Sequence, residues 1–402
     1  MKKIIIALFC LMLVPVFACT RENEPSPNVP SDTVVKPEIP LNDSVFFYEQ
    51  RLFAPNSYGS RNWRIPAICT LNDGTLLVVN DKRKYNEGDL PQDIDIVCRR
   101  STDNGRTWSP PTTIIQGSGY KHGYGDPGVV VCENGDVVLT FVGGNGLFAS
   151  TASDPISTYI CRSTDGGITW SEPMDITKTL WGDEAFNPVC RDYKGSFCAS
   201  GNGLRLKRGE HKGRIMFVAA MCRKGANVLD NFLVYSDDNG ITWKVSEMAY
   251  SGGDEAKVME LVDGRILMSI RQTGARGRNI SEDGGATWGT QGTWPEMTTN
   301  ACDGDMLRIS ATDDAAEKNI LLHSIPNSMN RENVSVFISY DEGLSWQDPV
   351  LLCEGPSVYS SLTLQHDGTI GCYVEKNTPN GCELWYQNFT YAWLLSQLSA
   401  DK

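Results

Sequence analysis

Short apolar runs recur along the chain between Gly-containing turns, Ile96-Val97-Cys98 and Val130-Val131-Cys132 among them. Pairs of such runs flank Asp73-Gly74, Asn134-Gly135, Lys212-Gly213, Asp263-Gly264 and Asp367-Gly368, and a weaker turn falls at Lys318-Asn319. Asn-Gly and Asp-Gly predict two-residue hairpin turns, because both central residues can take positive φ. Before the last ten residues there is no long segment with a 3.6-residue period, which excludes a coiled coil or a doubly wound α/β fold.

A second signal interleaves with the hairpins. The box Ser101-Thr102-Asp103-Asn104-Gly105-Arg106-Thr107-Trp108 recurs from Ser163 to Trp170, Ser236 to Trp243, Ser281 to Trp288 and Ser339 to Trp346, the last with Ser345 in place of Thr. The starts lie 62, 73, 45 and 58 residues apart, which suits one four-stranded blade per repeat. Six hairpins predict an all-β, six-bladed β-propeller over residues 46–402. The strand near Phe46-Phe47-Tyr48 is expected to close the ring against the C-terminal segment and hide the sheet edges. Within each box, Asp and Ser suit bonds to nearby backbone amides, Gly supplies open φ and Trp packs into the sheet. The box carboxylates are therefore expected to be structural, and functional residues should lie between the boxes.

Composition narrows the partners. The formal net charge of −13, with no basic block to offset it, argues against nucleic acid. An anionic substrate stays open, since a few arginines in one cleft outweigh a distant acidic surface. Met1-Lys2-Lys3 followed by an apolar run from Ile4 to Phe17 is too short for a membrane span and predicts a signal peptide over 1–18. Val16-Phe17-Ala18-Cys19 resembles a bacterial lipobox, which implies lipidation of Cys19; simple cleavage after Ala18 is the alternative. Residues 19–45, rich in proline and charge, read as a tether, and an exported, lipid-anchored protein of the bacterial periplasm or cell surface follows. Of the 13 cysteines, those beyond Cys10 and Cys19 are scattered singly, and there are only four histidines. No zinc site is expected, and buried free thiols are. In an exported protein they point to a reducing habitat.

Between the boxes, Trp63-Arg64-Ile65-Pro66, Leu267-Met268-Ser269-Ile270-Arg271 and Val358-Tyr359-Ser360-Ser361-Leu362 resemble motifs of the sialidase (neuraminidase) family, and the resemblance runs from about residue 46 to 392. It implies that Arg64, Arg271 and Arg331 clamp a substrate carboxylate. Guanidinium forks suit that task, since they bind carboxylates in bidentate fashion and stay charged. A carboxylate nucleophile would be repelled by such a substrate, and sialidases use a tyrosine instead; the resemblance assigns this role to Tyr359. A phenol is a poor nucleophile at neutral pH without a partner base, and Glu255, 16 residues before Arg271, resembles that base. Glu260 competes, but its context places it on a strand leading into a hairpin.

For the acid that protonates the leaving oxygen, the resemblance selects Asp89, with Arg83 as a sugar contact. Asp93 remains an alternative, and Asp95 reads as structural. A rim closing over Asp89 would desolvate it and raise its pKa. Glu375, 16 residues past Tyr359, resembles the residue that orients the first arginine, its alternative being an exposed strand position. Asp126 in Tyr124-Gly125-Asp126-Pro127 resembles an acid that contacts the sugar, or serves as a turn residue. Cys302-Asp303-Gly304-Asp305 departs from the family pattern and carries no assignment. Together these imply a retaining exo-α-sialidase acting on sialylated glycans without metal or organic cofactor. An intramolecular trans-sialidase, a hydrolase of the deaminated sugar and a propeller that only binds sialoglycans are the rival readings.

Overall fold

The computed structural model describes residues 39–400. The signal segment, Cys19 and the tether up to residue 38 lie outside the described residues. Six sheets, antiparallel except that the second also takes in the short strand Gly201–Asn202 in parallel, follow one another around the chain. Their innermost strands are Asn62–Thr70, Tyr124–Val131, Tyr193–Cys198, Ala256–Glu260, Asp305–Ser310 and Ser357–Leu364, and successive blades touch around a ring. This is the predicted six-bladed propeller. The strand Phe47–Phe53 pairs with Gly381–Phe389 as the outer strand of the sixth blade, Phe47 opposite Phe389. The ring is thereby closed with strands from both ends, and Trp393 of the final helix packs its ring 4.6 Å from that of Phe47.

The hairpin turns differ from the two-residue form expected. At Asp73-Gly74 the Leu71 amide bonds the Thr75 carbonyl and the Gly74 amide bonds the Leu71 carbonyl, and the same pattern recurs at Asn134-Gly135, Asp263-Gly264 and Asp367-Gly368. Of each pair only the glycine has positive φ, as at Gly74 (86°). These are three-residue loops closed by a left-handed residue. The Asp or Asn accepts from the amide two residues on, as Asp73 does from Thr75 at 2.9 Å, so it is chosen for a side-chain bond rather than for φ. Lys212-Gly213 closes a longer loop, from Leu206 to Arg214.

Each box follows the third strand of its blade. In the first, Ser101 donates to Asp103 at 2.8 Å and accepts from Gly105, while the Thr107 amide and hydroxyl donate to the Asp103 carboxylate at 2.9 and 2.6 Å. The fourth and fifth box residues both have positive φ, 56° at Asn104 and 77° at Gly105. The Thr107 bonds hold Asp103 down at about 2, so it stays ionised at neutral pH. The boxes are structural, as expected. Eleven cysteines among the described residues are buried and free, and burial pushes thiols such as Cys69 and Cys98 up to about 12.

Candidate active site

Three inner strands break register where the candidate residues sit: between Arg64 and Ala67, Gly125 and Gly128, and Ser357 and Ser360. A bulge frees a residue from the ladder and re-aims its neighbours. In the first two, the residue before a proline has positive φ, 61° at Ile65 and 57° at Asp126. For a β-branched Ile this is strained. Glu375 holds the strained turn: its carboxylate accepts from the Ile65 amide at 3.2 Å and from Arg64 Nε at 2.7 Å. Glu375 is buried rather than exposed.

Hairpin register explains the two 16-residue spacings. Glu255 faces Arg271 across the hairpin of the fourth blade, where the Arg271 amide bonds the Glu255 carbonyl at 2.8 Å. Tyr359 and Glu375 stand one position beyond the Ser360–Val374 pair of the sixth.

These turns converge on Tyr359. Its hydroxyl donates to Glu255 Oε2 at 2.5 Å and accepts from Arg271 Nη1 at 2.6 Å. Arg271 also pairs with the Glu255 carboxylate and, through Nε, with Asp254 at 3.3 Å. The guanidinium carbons of Arg64 and Arg331 lie 5.8 and 5.9 Å from the Tyr359 ring centroid, so all three candidate arginines surround one phenol. Arg331 is steadied by the Ala301 carbonyl at 3.4 Å. Burial pushes Glu255 up to about 7; Arg271 opposes this, and Asp303 and Asp254 add to it. Burial, then the Glu255 charge, hold the Tyr359 phenol well above its ordinary range against Arg271. The phenol therefore keeps its proton at rest beside a base whose own pKa lies near neutrality.

Asp89 lies 2.7 Å from Arg83 Nη1 and 3.9 Å from Arg64 Nη1. Its side chain is 73 % exposed. The raised pKa expected of it is absent from this arrangement: partial desolvation pushes it up, but Arg83 and then Arg64 outweigh that and hold it below the usual carboxylate range. The alternative acid, Asp93, is tied to Lys84 at 2.8 Å, and Asp95 binds Lys84 and the Gly117 amide. Glu260 accepts from the Lys207 and Arg208 amides, outside the cluster around Tyr359.

Arg83, expected to touch the sugar, is 1 % exposed and spends its donors on Asp81, the Glu87 carbonyl and Asp89. Asp126 presents its carboxyl beside this group while its amide donates to Asp81 at 3.1 Å. Burial, then Asp81 and Asp89, raise Asp126 well above the usual range, with Arg83 opposing. Asp81 was not anticipated. Buried between Arg83 and the Asp126 amide, it places both; the available signal was an acid two residues before Arg83, hence on the same face of one strand.

Residues 74–372 match the BNR repeat-like domain family. A sialidase of Micromonospora viridifaciens is 31% identical over 91% of this chain, which spans 57% of that enzyme's length. Among solved structures, the Hadza microbial sialidase Hz136 superposes with a TM-score of 0.76 at 27% identity, over 86% of this chain and 69% of that one. An intramolecular trans-sialidase of Ruminococcus gnavus shares the fold, with a TM-score of 0.74 at 20% identity over 86% of this chain and 98% of that one. With the repeats, the ring they build and the site between them in view, the chain belongs to the BNR repeat-like family, among relatives that are sialidases.

Proposed function

We propose that the protein is a retaining exo-α-sialidase that removes terminal sialic acids from glycans. The observation that carries this reading is the Tyr359 hydroxyl, bonded to both Glu255 and Arg271 and ringed by Arg64 and Arg331. The three guanidinium groups hold the substrate carboxylate next to the phenol. Glu255 takes the phenolic proton as the Tyr359 oxygen attacks the anomeric carbon, which avoids the repulsion a carboxylate nucleophile would meet. Asp89 delivers a proton to the departing oxygen, and water later releases the sugar from tyrosine with Asp89 as base. A substrate carboxylate among the arginines weakens their hold on Asp89, and exclusion of water pushes its pKa up towards the range a proton donor needs. Asp126, whose carboxyl is shifted towards its protonated form by burial, contacts the sugar.

Trapping with a fluorinated sialosyl fluoride followed by peptide mapping tests the reading. A label on Tyr359 is expected; a label elsewhere, or turnover without any label, overturns it. From the lipobox-like Val16-Phe17-Ala18-Cys19 we further propose that the enzyme is exported and held by a lipid at Cys19. Mass analysis of the mature protein should find a lipid-modified Cys19 at its N-terminus, and an unmodified Cys19 there would exclude the lipid.

A further inference from the structure

Next to the site, charged side chains from several blades are buried together. Lys257 and Asp303, each 3 % exposed, form an ion pair at 2.7 Å. Lys257 stands on the inner strand of the fourth blade, two residues from Glu255, and reaches across to the Ser200 carbonyl. Asp305 accepts from Asn202 at 3.1 Å, from the Leu362 amide at 2.8 Å and from Ser361 at 3.1 Å. Ser361 in turn accepts from the Ile68 amide of the first blade.

The segment Ala301–Asp305 therefore ties to the site at several points. The Ala301 carbonyl takes Arg331, and the Cys302 carbonyl takes the buried Arg276. The Cys302 side chain packs with Tyr359, Val358 and Ile65, and Asp303 pairs with the lysine next but one to Glu255. Buried charges cost several kcal/mol each in desolvation, so a pair sealed next to a site asks for a role other than stability.

We propose that Asp303, held by Lys257, is a positioning residue for the reaction: its fixed charge governs proton transfer between Tyr359 and Glu255, and its segment keeps Arg331 in place. The inference rests on the proposed sialidase reading. Other charged and titratable groups facing Glu255 are Arg271, Asp254 and Arg276 of its own blade, Cys302 of the segment, Tyr359 of the sixth blade and Asp126 of the second. Among them Asp303 is the carboxylate whose own partner, Lys257, is as buried as itself and stands two residues from Glu255.

The test is the pH dependence of kcat/KM for an aryl α-sialoside whose phenolate departs without a proton. Asp89 is then idle, and the single rising limb reports the Tyr359–Glu255 couple. Asp303→Asn removes a negative charge beside Glu255, so the limb should move to lower pH by about one unit, and Asp303→Glu should restore its position even if the rate drops. Lys257→Met with Asp303→Leu, which replaces the pair by apolar groups, should lower the limb as well. An unmoved limb in folded variants overturns the inference, as does failure of both the Asn and the double variant to fold, since the pair would then serve the fold alone. If wild-type enzyme takes no label on Tyr359, the sialidase reading itself falls. Labelled wild type with an unmoved limb sinks only the role of Asp303.

Discussion

At the scale of single residues, three of the candidate arginines are each fixed by a partner that is not given to the substrate. Arg64 leans on Glu375, Arg331 on a carbonyl and Arg83 on Asp81. Glu375→Gln removes the charge behind Arg64 and loosens the Ile65 turn. A hydrogen bond to a charged group is worth about 1.5–3 kcal/mol, so kcat/KM should fall about 10- to 150-fold, mostly through KM, as steady-state kinetics will show. Asp89→Asn should cost about 100-fold or more on natural glycans yet little on an aryl sialoside with a good leaving group; equal losses on both would remove Asp89 from the acid role. The arginines, Tyr359, Glu255 and Asp89 were legible in the chain through short motifs. Asp81 left only a faint mark, its spacing from Arg83, and Asp303 left none, because its partner Lys257 comes from a distant segment.

At the scale of elements, the boxes and bulges divide the labour. Boxes brace the end of the third strand in five of the six blades, and bulges on inner strands re-aim side chains around Tyr359. Ser236→Ala in the third box leaves the Gly240 amide without the 2.7 Å bond it donates to that hydroxyl. A buried donor left unpaired costs about 1–3 kcal/mol, so thermal unfolding should come several degrees lower with kcat/KM unchanged. A loss of activity in folded protein would contradict the purely structural role of the box. The repeats were readable because their chemistry is local to eight residues. The bulges were not, since they exist only relative to a neighbouring strand. The hairpin turns show the same limit: Asp-Gly marks the right place, but the loop length depends on which carbonyl the flanking amides reach.

At the scale of the whole molecule, the two kinds of carboxylate pull stability in opposite directions with pH. The box residues Asp103, Asp165 and Asp238 are depressed to about 2, so the stability they contribute is complete above the ordinary Asp value near 4 and is lost as pH falls towards 2. Asp81 and Asp305, pushed up to about 6, and Glu255, up to about 7, bind protons more tightly folded than unfolded, so they weaken the fold as pH rises from about 4 to 7. Thermal melts across pH should peak near pH 4–5, and a peak above pH 7 would refute this balance. The sequence by itself determined the blade count, the closure of the ring by its N-terminal strand and the structural part of the boxes, since these are written in local spacing and side-chain type, while most residues around Tyr359 were reached through the resemblance of short motifs to a known family. Only the tertiary structure decided that Glu255 and Arg271 share one phenol, that Asp89 rests ionised against Arg83, and that a buried ion pair joins Lys257 to Asp303 close by. Those facts depend on distances between blades far apart in the chain, and on the low dielectric that burial creates where they meet.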